Sequence, residues 1–213
     1  SFELIGQGTA FPVTEGFESG TFPPIGWELS NPDLDYTWEA TLLASQAGAF
    51  SVFVDNYDYS NTGAYDELNT PIVNPSSVLN PALTFDVAYT YFYLAGPVPT
   101  VTTDTLEVLI STDCGANFTR IYYKGGVDLS TTLPTDLFFV PTATEWRNEV
   151  IPLTAYATDS QVVVKFRNIT NFGNNVFIDN INLTNLTSVS KVPEITASLF
   201  PNPASNSVTL RLA

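Results

Sequence analysis

The sequence contains no histidine, and this absence restricts the chemistry that the chain can perform. Histidine is the usual general base of Ser-His and Cys-His dyads and a frequent zinc ligand of hydrolases. Enzymes of those classes are therefore excluded. Hydrolysis of a glycoside by a pair of carboxylates needs no histidine and stays open as an alternative, although the sequence singles out no acid pair for that role.

Cysteine is almost as scarce, because Cys114 is the only one in the chain. A single cysteine forms no intramolecular disulfide and no cysteine-based zinc site. Its neighbours in sequence include no base that would activate a thiolate. Stability must therefore come from the hydrophobic core or from a bound metal.

Positive charge is also scarce, since 7 Lys and Arg stand against 22 Asp and Glu and the formal net charge is −15. A surface of that sign repels phosphate backbones and anionic lipid, so we expect no nucleic-acid partner. No apolar run approaches the length of a membrane span, and we expect none. The acids lie among many Ser, Thr, Asn and Tyr residues, and such oxygen-rich surroundings favour calcium as the cofactor.

Strand patterns dominate the sequence. From Leu83 to Tyr91, apolar residues alternate with Thr, Asp and Ala, which is the period of a half-buried strand. Further β-rich runs, separated by Pro, Gly, Asn and Asp, fall at 49–54, 105–111, 118–123, 146–151, 161–167 and 175–183. Residues 96–103 and 127–144 carry too many Pro and Thr for core strands and are predicted to be long loops. The pattern predicts an all-β fold, a jelly-roll β-sandwich over residues 1–188.

Acids at the two ends of this predicted sandwich are candidates for a metal site. Asp179 alternates in phase with three apolar residues of the last strand, Phe177, Ile181 and Leu183. If that face is the core, the Asp179 carboxylate is buried and needs a compensating partner. Glu18 lies in the first predicted strand, which a jelly roll can place beside the last. We therefore predict a calcium ion bound by Glu18 and Asp179, with Asp35 as a third ligand.

Bland alternatives to this metal site remain open. Asp179 could cap a turn instead, and Glu18 could lie in solvent. Neither alternative requires a cation.

A second group of acids and aromatic residues lies between the first strands. Aromatic faces pack against pyranose rings and carboxylates accept hydrogen bonds from sugar hydroxyls, so these residues are candidate sugar ligands: Trp38, Asp55, Tyr57, Asp58 and Tyr59. Asp55 and Asp58, together with Asp66 and Glu67, are alternatively a second calcium site. A solvated acidic turn without any ligand is the third alternative.

Residues 111–118 match the Asp-box pattern, in which a Ser, an Asp, a Gly and an aromatic residue follow at fixed spacing. The pattern predicts that Asp113 caps backbone donors, that Gly115 takes a left-handed conformation and that Phe118 packs beneath the turn. We predict a stabilising turn and no catalytic role for Asp113.

The two ends of the predicted sandwich also resemble a known family. The resemblance lies in residues 15–20 and 22–27, in the Asp35–Trp38 segment, and in the closing run 173–183. These segments resemble cleaved-adhesin, or choice-of-anchor J, modules, whose opening pattern is shared with MAM domains and calcium-containing carbohydrate-binding jelly rolls. The resemblance implies a galactose-binding or MAM-like sandwich that is non-catalytic, stabilised by calcium, and binds carbohydrate or a surface protein. The alternatives are a structural spacer that supports secretion and a glycosidase-like hydrolase.

The last residues of the chain resemble a secretion signal. Phe200, Pro201, Asn202 and Pro203 precede a short alternating strand at 208–212. This order is similar to the opening strand of the type A C-terminal sorting domain of type IX secretion. It implies recognition of the tail by the type IX machinery and a protein that is secreted or attached to the outer-membrane surface. We expect residues 189–213 to be a linker and the start of a truncated sorting domain, within a longer exported polypeptide.

Overall fold

The computed structural model describes residues 9–186, 197–200 and 209–212, and these residues form mostly β-structure. The strands are β1 (Thr9–Ala10), β2 (Val13–Glu15), β3 (Glu28–Ser30), β4 (Glu39–Thr41), β5 (Ser51–Val54), β6 (Tyr65–Asn69), β7 (Val73–Asn74), β8 (Pro81–Tyr89), β9 (Phe92–Leu94), β10 (Thr100–Thr102), β11 (Thr105–Ser111), β12 (Thr119–Gly125), β13 (Arg147–Pro152), β14 (Val163–Ile169), β15 (Val176–Asn185), β16 (Ala197–Phe200) and β17 (Thr209–Leu212). One helical turn, α1 (Gly126–Leu129), and two 3-10 turns, Pro75–Ser77 and Thr154–Tyr156, complete the described elements. None of these helices is long or apolar enough to cross a membrane.

Two large antiparallel sheets form the body of the protein. One has the order β13-β8-β15-β5-β4, with β2 beside β15, and the other has the order β12-β11-β14-β6-β3. Neighbouring strands are mostly distant in sequence, so the chain crosses repeatedly between the sheets, as in a jelly roll. This architecture confirms the predicted all-β sandwich. The pairing of β2 with β15 also confirms that the first strands lie beside the last.

The space between the sheets is filled by apolar and aromatic side chains. Phe85 of β8 meets Phe166 of β14 edge to face, with ring centroids 5.1 Å apart. Leu106 and Leu68 are completely buried in the same cluster. Burying a side chain of this size stabilises the fold by roughly 1.5–3 kcal/mol relative to leaving it exposed. The alternating residues of each strand thus place one row in this core.

Strand β8 is buried on both faces, which differs from the half-buried strand that its alternation predicts. Asp86 is 9% exposed and Ala88 is completely buried, although both point away from the main core. The cause is a second apolar cluster on the outer face, where Phe139 packs with Ala88, Phe53 and Phe177. The predicted long loop at 127–144 carries Phe139 and so covers the sheet.

Strand β15 changes register at its middle, and this corrects the predicted face of Asp179. Asn180 has a φ of 50°, and the pairing with β8 shifts between Asp179 and Asn182. The extra residue of a bulge moves later side chains to the opposite face. Phe177 therefore lies in the outer cluster, whereas Ile181 lies in the main core. Asp179 is buried as predicted, but not on the face that holds Ile181 and Leu183.

The end of the described chain forms a small sheet of its own. Strands β16 and β17 pair antiparallel, with Phe200 opposite Thr209. The short strand was expected from the sequence, whereas its partner β16 was not. Of the predicted sorting signal, Phe200 ends β16, and Pro201, Asn202 and Pro203 lie outside the described residues, as does the boundary near residue 188.

The Asp-box turn between β11 and β12 forms as predicted. Asp113 accepts hydrogen bonds from the side chain and backbone of Asn117, at 2.7 and 2.8 Å, and from the Ser111 hydroxyl at 2.7 Å. Gly115 has a φ of 86°, and a Cβ at that position would meet the Phe118 ring at 3.8 Å. The hydrogen bonds from Asn117 and then Ser111 lower the pKa of Asp113 to about 2.

Replacement of Asp113 by alanine should destabilise the protein at neutral pH. Because the pKa of Asp113 is lower when folded than its ordinary value of 3.8, its stabilising contribution is present above that value and is lost as the pH falls toward 2. Urea unfolding of D113A and wild type at pH 7 and pH 2.5 measures this difference. The exposed-acid control D128A should behave like wild type, and a D113A deficit that is equal at both pH values would contradict the assignment.

Candidate functional site

The predicted sugar-binding residues separate into buried and surface members. Trp38 is 1% exposed and Tyr59 is completely buried, so the prediction that they form a binding surface is wrong. The Trp38 indole N–H donates to the Asp66 carbonyl at 3.2 Å, and the Tyr59 hydroxyl donates to Asp33 at 2.8 Å. Buried aromatic residues with a satisfied polar end are members of the core, because the core gains the apolar area of their rings.

Asp55 has a local structural role. It is half-buried at the end of β5, and its carboxylate accepts the Asp58 N–H at 3.1 Å. Burial is the main cause that raises the pKa of Asp55, and the charge of Asp58 adds to it. Asp55 therefore caps the turn that presents Tyr57 and Asp58.

Tyr57 and Asp58 line a pocket of about 270 Å³ at one end of the sandwich. The other walls come from the β9–β10 hairpin and from the loop between β14 and β15, and they are Phe92, Thr100, Thr102, Phe172 and Gly173. Sequence reasoning missed these residues because only the crossing of the strands brings the three segments together. Three aromatic rings, hydroxyl groups and one carboxylate thus share a concave surface.

Tyr57 is held in place from several directions. Its ring centroid lies 6.2 Å from that of Phe92 and 5.7 Å from that of Phe138. Its hydroxyl donates to the Asp136 carbonyl at 3.1 Å, and its N–H donates to Asn175 at 3.3 Å. A ring restrained in this way loses little conformational entropy when a ligand packs on it.

Phe172 is displayed by a strained loop. Its side chain is 46% exposed and its φ is 56°, a left-handed conformation that is rare for a non-glycine residue. The Thr102 hydroxyl donates to the Phe172 carbonyl at 2.6 Å. An exposed aromatic side chain on a strained backbone is a feature of binding loops.

Asp104 holds this loop from below. Its buried carboxylate accepts hydrogen bonds from the N–H groups of Asn171, Gly173 and Asn174 at 2.8, 3.1 and 2.7 Å, and from Tyr89 at 3.3 Å. Burial raises the pKa of Asp104 to about 6, against the opposing effect of these hydrogen bonds. A Cβ at Gly173 would lie 2.2 Å from an Asp104 carboxylate oxygen, so only glycine fits there.

Replacement of Gly173 by alanine should displace the loop that carries Phe172. The added methyl group overlaps the Asp104 carboxylate, and overpacking of this kind costs roughly 1–3 kcal/mol. Chemical denaturation of G173A against wild type measures the loss. G16A is the matched control, because a Cβ at Gly16 has nothing closer than 3.9 Å. Equal stability of G173A and G16A would contradict the role of Asp104.

The structure brings Glu18 and Asp179 to one segment, the capping loop (Gln46–Phe50). Asp179 accepts the N–H groups of Gln46 and Ala47 at 2.8 and 3.1 Å. Glu18 lies in the turn after β2 and not, as was predicted, in the first strand, because that strand ends at Glu15. It accepts the N–H groups of Ala49 and Phe50 at 2.9 Å each. The two predicted ligands therefore attach to opposite ends of a loop that sequence reasoning did not include.

Asp179 also faces another acid. It pairs with Asp86 across β15 and β8. Burial is the main cause that raises the pKa of Asp179, and the charge of Asp86 raises it further. Within residues 9–186, no Lys or Arg forms an ion pair with Glu18, Asp86 or Asp179. Backbone and amide N–H groups are the donors that compensate these carboxylates.

Asp35 does not join Glu18 and Asp179. It is exposed on the loop between β3 and β4, where its carbonyl accepts the Asn31 side chain at 2.8 Å. Its charge adds to the raised pKa of Asp66, whose main cause is burial. In the part of the chain that the structure describes, no group of three or more Asp, Glu, Cys or His side chains is placed to hold a metal. A cation between Glu18 and Asp179 would therefore need backbone oxygens or water as further ligands.

The outer face of the five-stranded sheet carries a chain of ion pairs. Glu107 pairs with Arg120 at 2.9 Å and with Arg167 at 3.3 Å, and Glu67 pairs with Arg167 and Lys165 at 2.6 and 2.8 Å. The Arg120 guanidinium also lies 4.6 Å from the centroid of the Tyr123 ring. This face thus offers paired charges. The pocket lined by Tyr57, Asp58, Phe92 and Phe172, called the loop-end pocket below, offers aromatic rings instead.

Comparisons with known proteins support the fold. No family profile matches the chain, and no curated protein sequence matches it. Among solved structures, the K3 cleaved adhesin domain of Lys-gingipain from Porphyromonas gingivalis is 18% identical, with a TM-score of 0.55 over 81% of this chain and 98% of that domain. The carbohydrate-binding module CBM27-1 of Caldicellulosiruptor saccharolyticus, solved with mannohexaose, is 12% identical, with a TM-score of 0.53 over 81% and 96%.

A third similar structure is TmCBM61, solved with β-1,4-galactotriose. It is 16% identical, with a TM-score of 0.51 over 80% of this chain and 94% of that one. All three similarities cover the sandwich almost completely at low identity. They confirm the β-sandwich fold that the sequence predicts.

Proposed function

We propose that the protein is a non-catalytic, adhesin-like module that binds carbohydrate in the pocket formed by Tyr57, Asp58, Phe92 and Phe172. The observation that carries this proposal is the convergence of three aromatic rings with an exposed carboxylate. Apolar faces of sugar rings pack on aromatic side chains, and carboxylates accept hydrogen bonds from hydroxyls. The solved carbohydrate-binding modules with the same fold support this class of ligand.

The size and composition of the pocket limit what it accepts. Its volume of about 270 Å³ lies just below the usual range of ligand pockets, which suits one sugar unit better than a long chain. Asp58 is the only carboxylate among its lining residues. Glycoside hydrolysis needs two carboxylates that flank the bond, so this pocket supports binding and not cleavage.

Alanine at Phe172 should weaken glycan binding by about tenfold, which corresponds to about 1.4 kcal/mol, because the most exposed ring of the pocket is lost. A glycan array would first identify a ligand, and isothermal titration of F172A and D58N would then measure its affinity. Y123A is the matched control, since Tyr123 is 57% exposed on the ion-paired face of the other sheet. Loss of binding in Y123A alone would move the site to that face, and the absence of any glycan ligand would favour a structural spacer.

We also propose that calcium stabilises the module between Glu18 and Asp179. The support is that Glu18 and the buried Asp179 attach to the same loop, with Asp86 beside Asp179 on the neighbouring strand. None of the three acids has an ion-pair partner in the described residues. Hard oxygen ligands of this kind suit calcium, with backbone oxygens or water as the remaining ligands. A bound ion would tie the capping loop to β2 and β15.

Removal of calcium should lower the melting temperature. A ligand present at 100 times its dissociation constant stabilises by about 2.7 kcal/mol, and each kcal/mol shifts a domain of this size by roughly 2–4 °C. Differential scanning calorimetry with calcium and with a chelator measures this shift. The double variant E18Q/D179N should show a clearly smaller calcium-dependent shift than wild type, whereas D128N should retain the full shift. An unchanged wild-type melting temperature in chelator, with no metal by elemental analysis, would contradict the proposal.

We further propose that the module belongs to a protein that is secreted or attached to the outer-membrane surface. The motif Phe200, Pro201, Asn202 and Pro203 supports a type IX sorting signal at the end of the chain. A secreted or outer-membrane-surface protein agrees with the negative charge and with a sugar-binding role. Its partners would be surface carbohydrate or a surface protein and the secretion machinery.

A further inference from the structure

Asp66 is a buried acid whose charge the described structure leaves uncompensated. It lies on the inner face of β6 and is completely buried. Among the described residues, no donor lies within hydrogen-bonding geometry of either carboxylate oxygen, and the neighbouring Thr37 hydroxyl oxygen is buried without a partner there as well. An ionised carboxylate in this state costs several kcal/mol unless another group compensates its charge. A proton or a bound cation would compensate the charge of Asp66.

The surroundings of Asp66 are acidic rather than basic. The Tyr59 hydroxyl, which lies close to Asp66, donates its hydrogen bond to Asp33 instead. Burial is the main cause that raises the pKa of Asp66 to about 6. The nearby Thr37 and Tyr59 hydroxyls oppose this rise, and the charges of Asp33 and Asp35 add to it. Within residues 9–186, no Lys or Arg forms an ion pair with any of these acids. The electrostatic potential around the Asp66 carboxylate is therefore negative.

A surface cleft lies beside Thr37, the neighbour of Asp66. A cleft of about 380 Å³ is lined by the loop between β3 and β4, namely Leu34, Asp35, Tyr36, Thr37 and Glu39. Thr37 therefore lines the cleft while its hydroxyl oxygen remains buried and unpartnered. The cleft carries two acids of its own.

We propose that Asp66 and Thr37 form a cation site, with Asp35 at its entrance, that binds calcium. Carboxylate, hydroxyl and carbonyl oxygens are the ligands that calcium prefers, and water completes its six to eight ligands when few carboxylates are present. The ion compensates the charge of Asp66 and uses the free Thr37 oxygen. It ties the β3–β4 loop to β6. The site is separate from Glu18 and Asp179, which attach to the capping loop.

Terbium luminescence tests the site directly. Terbium replaces calcium at oxygen ligands, and Trp38, whose indole donates to the Asp66 carbonyl, is placed to sensitise its emission. The E18Q/D179N background removes the other proposed site. In that background we expect sensitised emission that calcium displaces. Adding D66N should abolish it, whereas the exposed-acid control D128N should leave it unchanged.

A second variant keeps the test decisive if D66N perturbs the fold. Because the Thr37 hydroxyl makes no hydrogen bond to another described residue, T37V should change the melting temperature in chelator little and should weaken terbium binding several-fold. Calorimetric titration of the otherwise wild-type chain should likewise show one calcium fewer in D66N. Terbium binding that is equal in wild type, D66N and T37V would overturn the proposal. So would a wild-type chain without an ion here and a D66N variant that is more stable at pH 7, since Asp66 would then carry a proton.

Discussion

Buried carboxylates are the constraint on which much of this structure depends, because the chain has few positive charges to pair with them. Loop backbone N–H groups compensate two of the most deeply buried of them, Asp104 and Asp179. Asp104 accepts three N–H groups from the loop between β14 and β15, and Asp179 accepts two from the capping loop. Each acid therefore fixes a segment that has no regular hydrogen-bonding partner of its own. The hydrogen bonds that compensate the buried carboxylate are therefore the same ones that order the loop.

The Lys and Arg side chains of the described structure pair with glutamates and not with aspartates. All five Lys and Arg residues of the range 9–186 form ion pairs, and their partners are Glu67, Glu107 and Glu149. No Asp of that range receives a cation. These glutamates lie on sheet faces, where long basic side chains of neighbouring strands reach them. Asp104 and Asp179 instead meet the backbone donors of adjacent loops. Asp66, on the inner face of β6, meets neither kind of group among the described residues, so its charge remains for a cation or a proton.

Sequence patterns predicted the positions of the strands better than they predicted which side chains are buried. The run 105–111 became β11 without change, and the adjacency of the first and last strands was confirmed. The bulge at Asn180 was not predictable, because alternation assumes a regular strand. The burial of Trp38 and Tyr59 was missed for a related reason. Aromatic residues among acids resemble a sugar-binding surface, and only tertiary packing shows whether their faces are covered.

The loop-end pocket could not be predicted in full, because its residues come from segments that are distant in sequence. Tyr57 and Asp58 were identified from composition, but Phe92 and Phe172 reach them only because β5, β8 and β14 end at the same side of the sandwich. The acid that positions Phe172 is Asp104, which does not line the pocket. A rigid β-framework with acid-anchored loops presents its aromatic rings before a ligand arrives, so little of the binding energy is lost to ordering them. In the proposed function, the acids would serve recognition by holding loops, and the aromatic rings would make the contact.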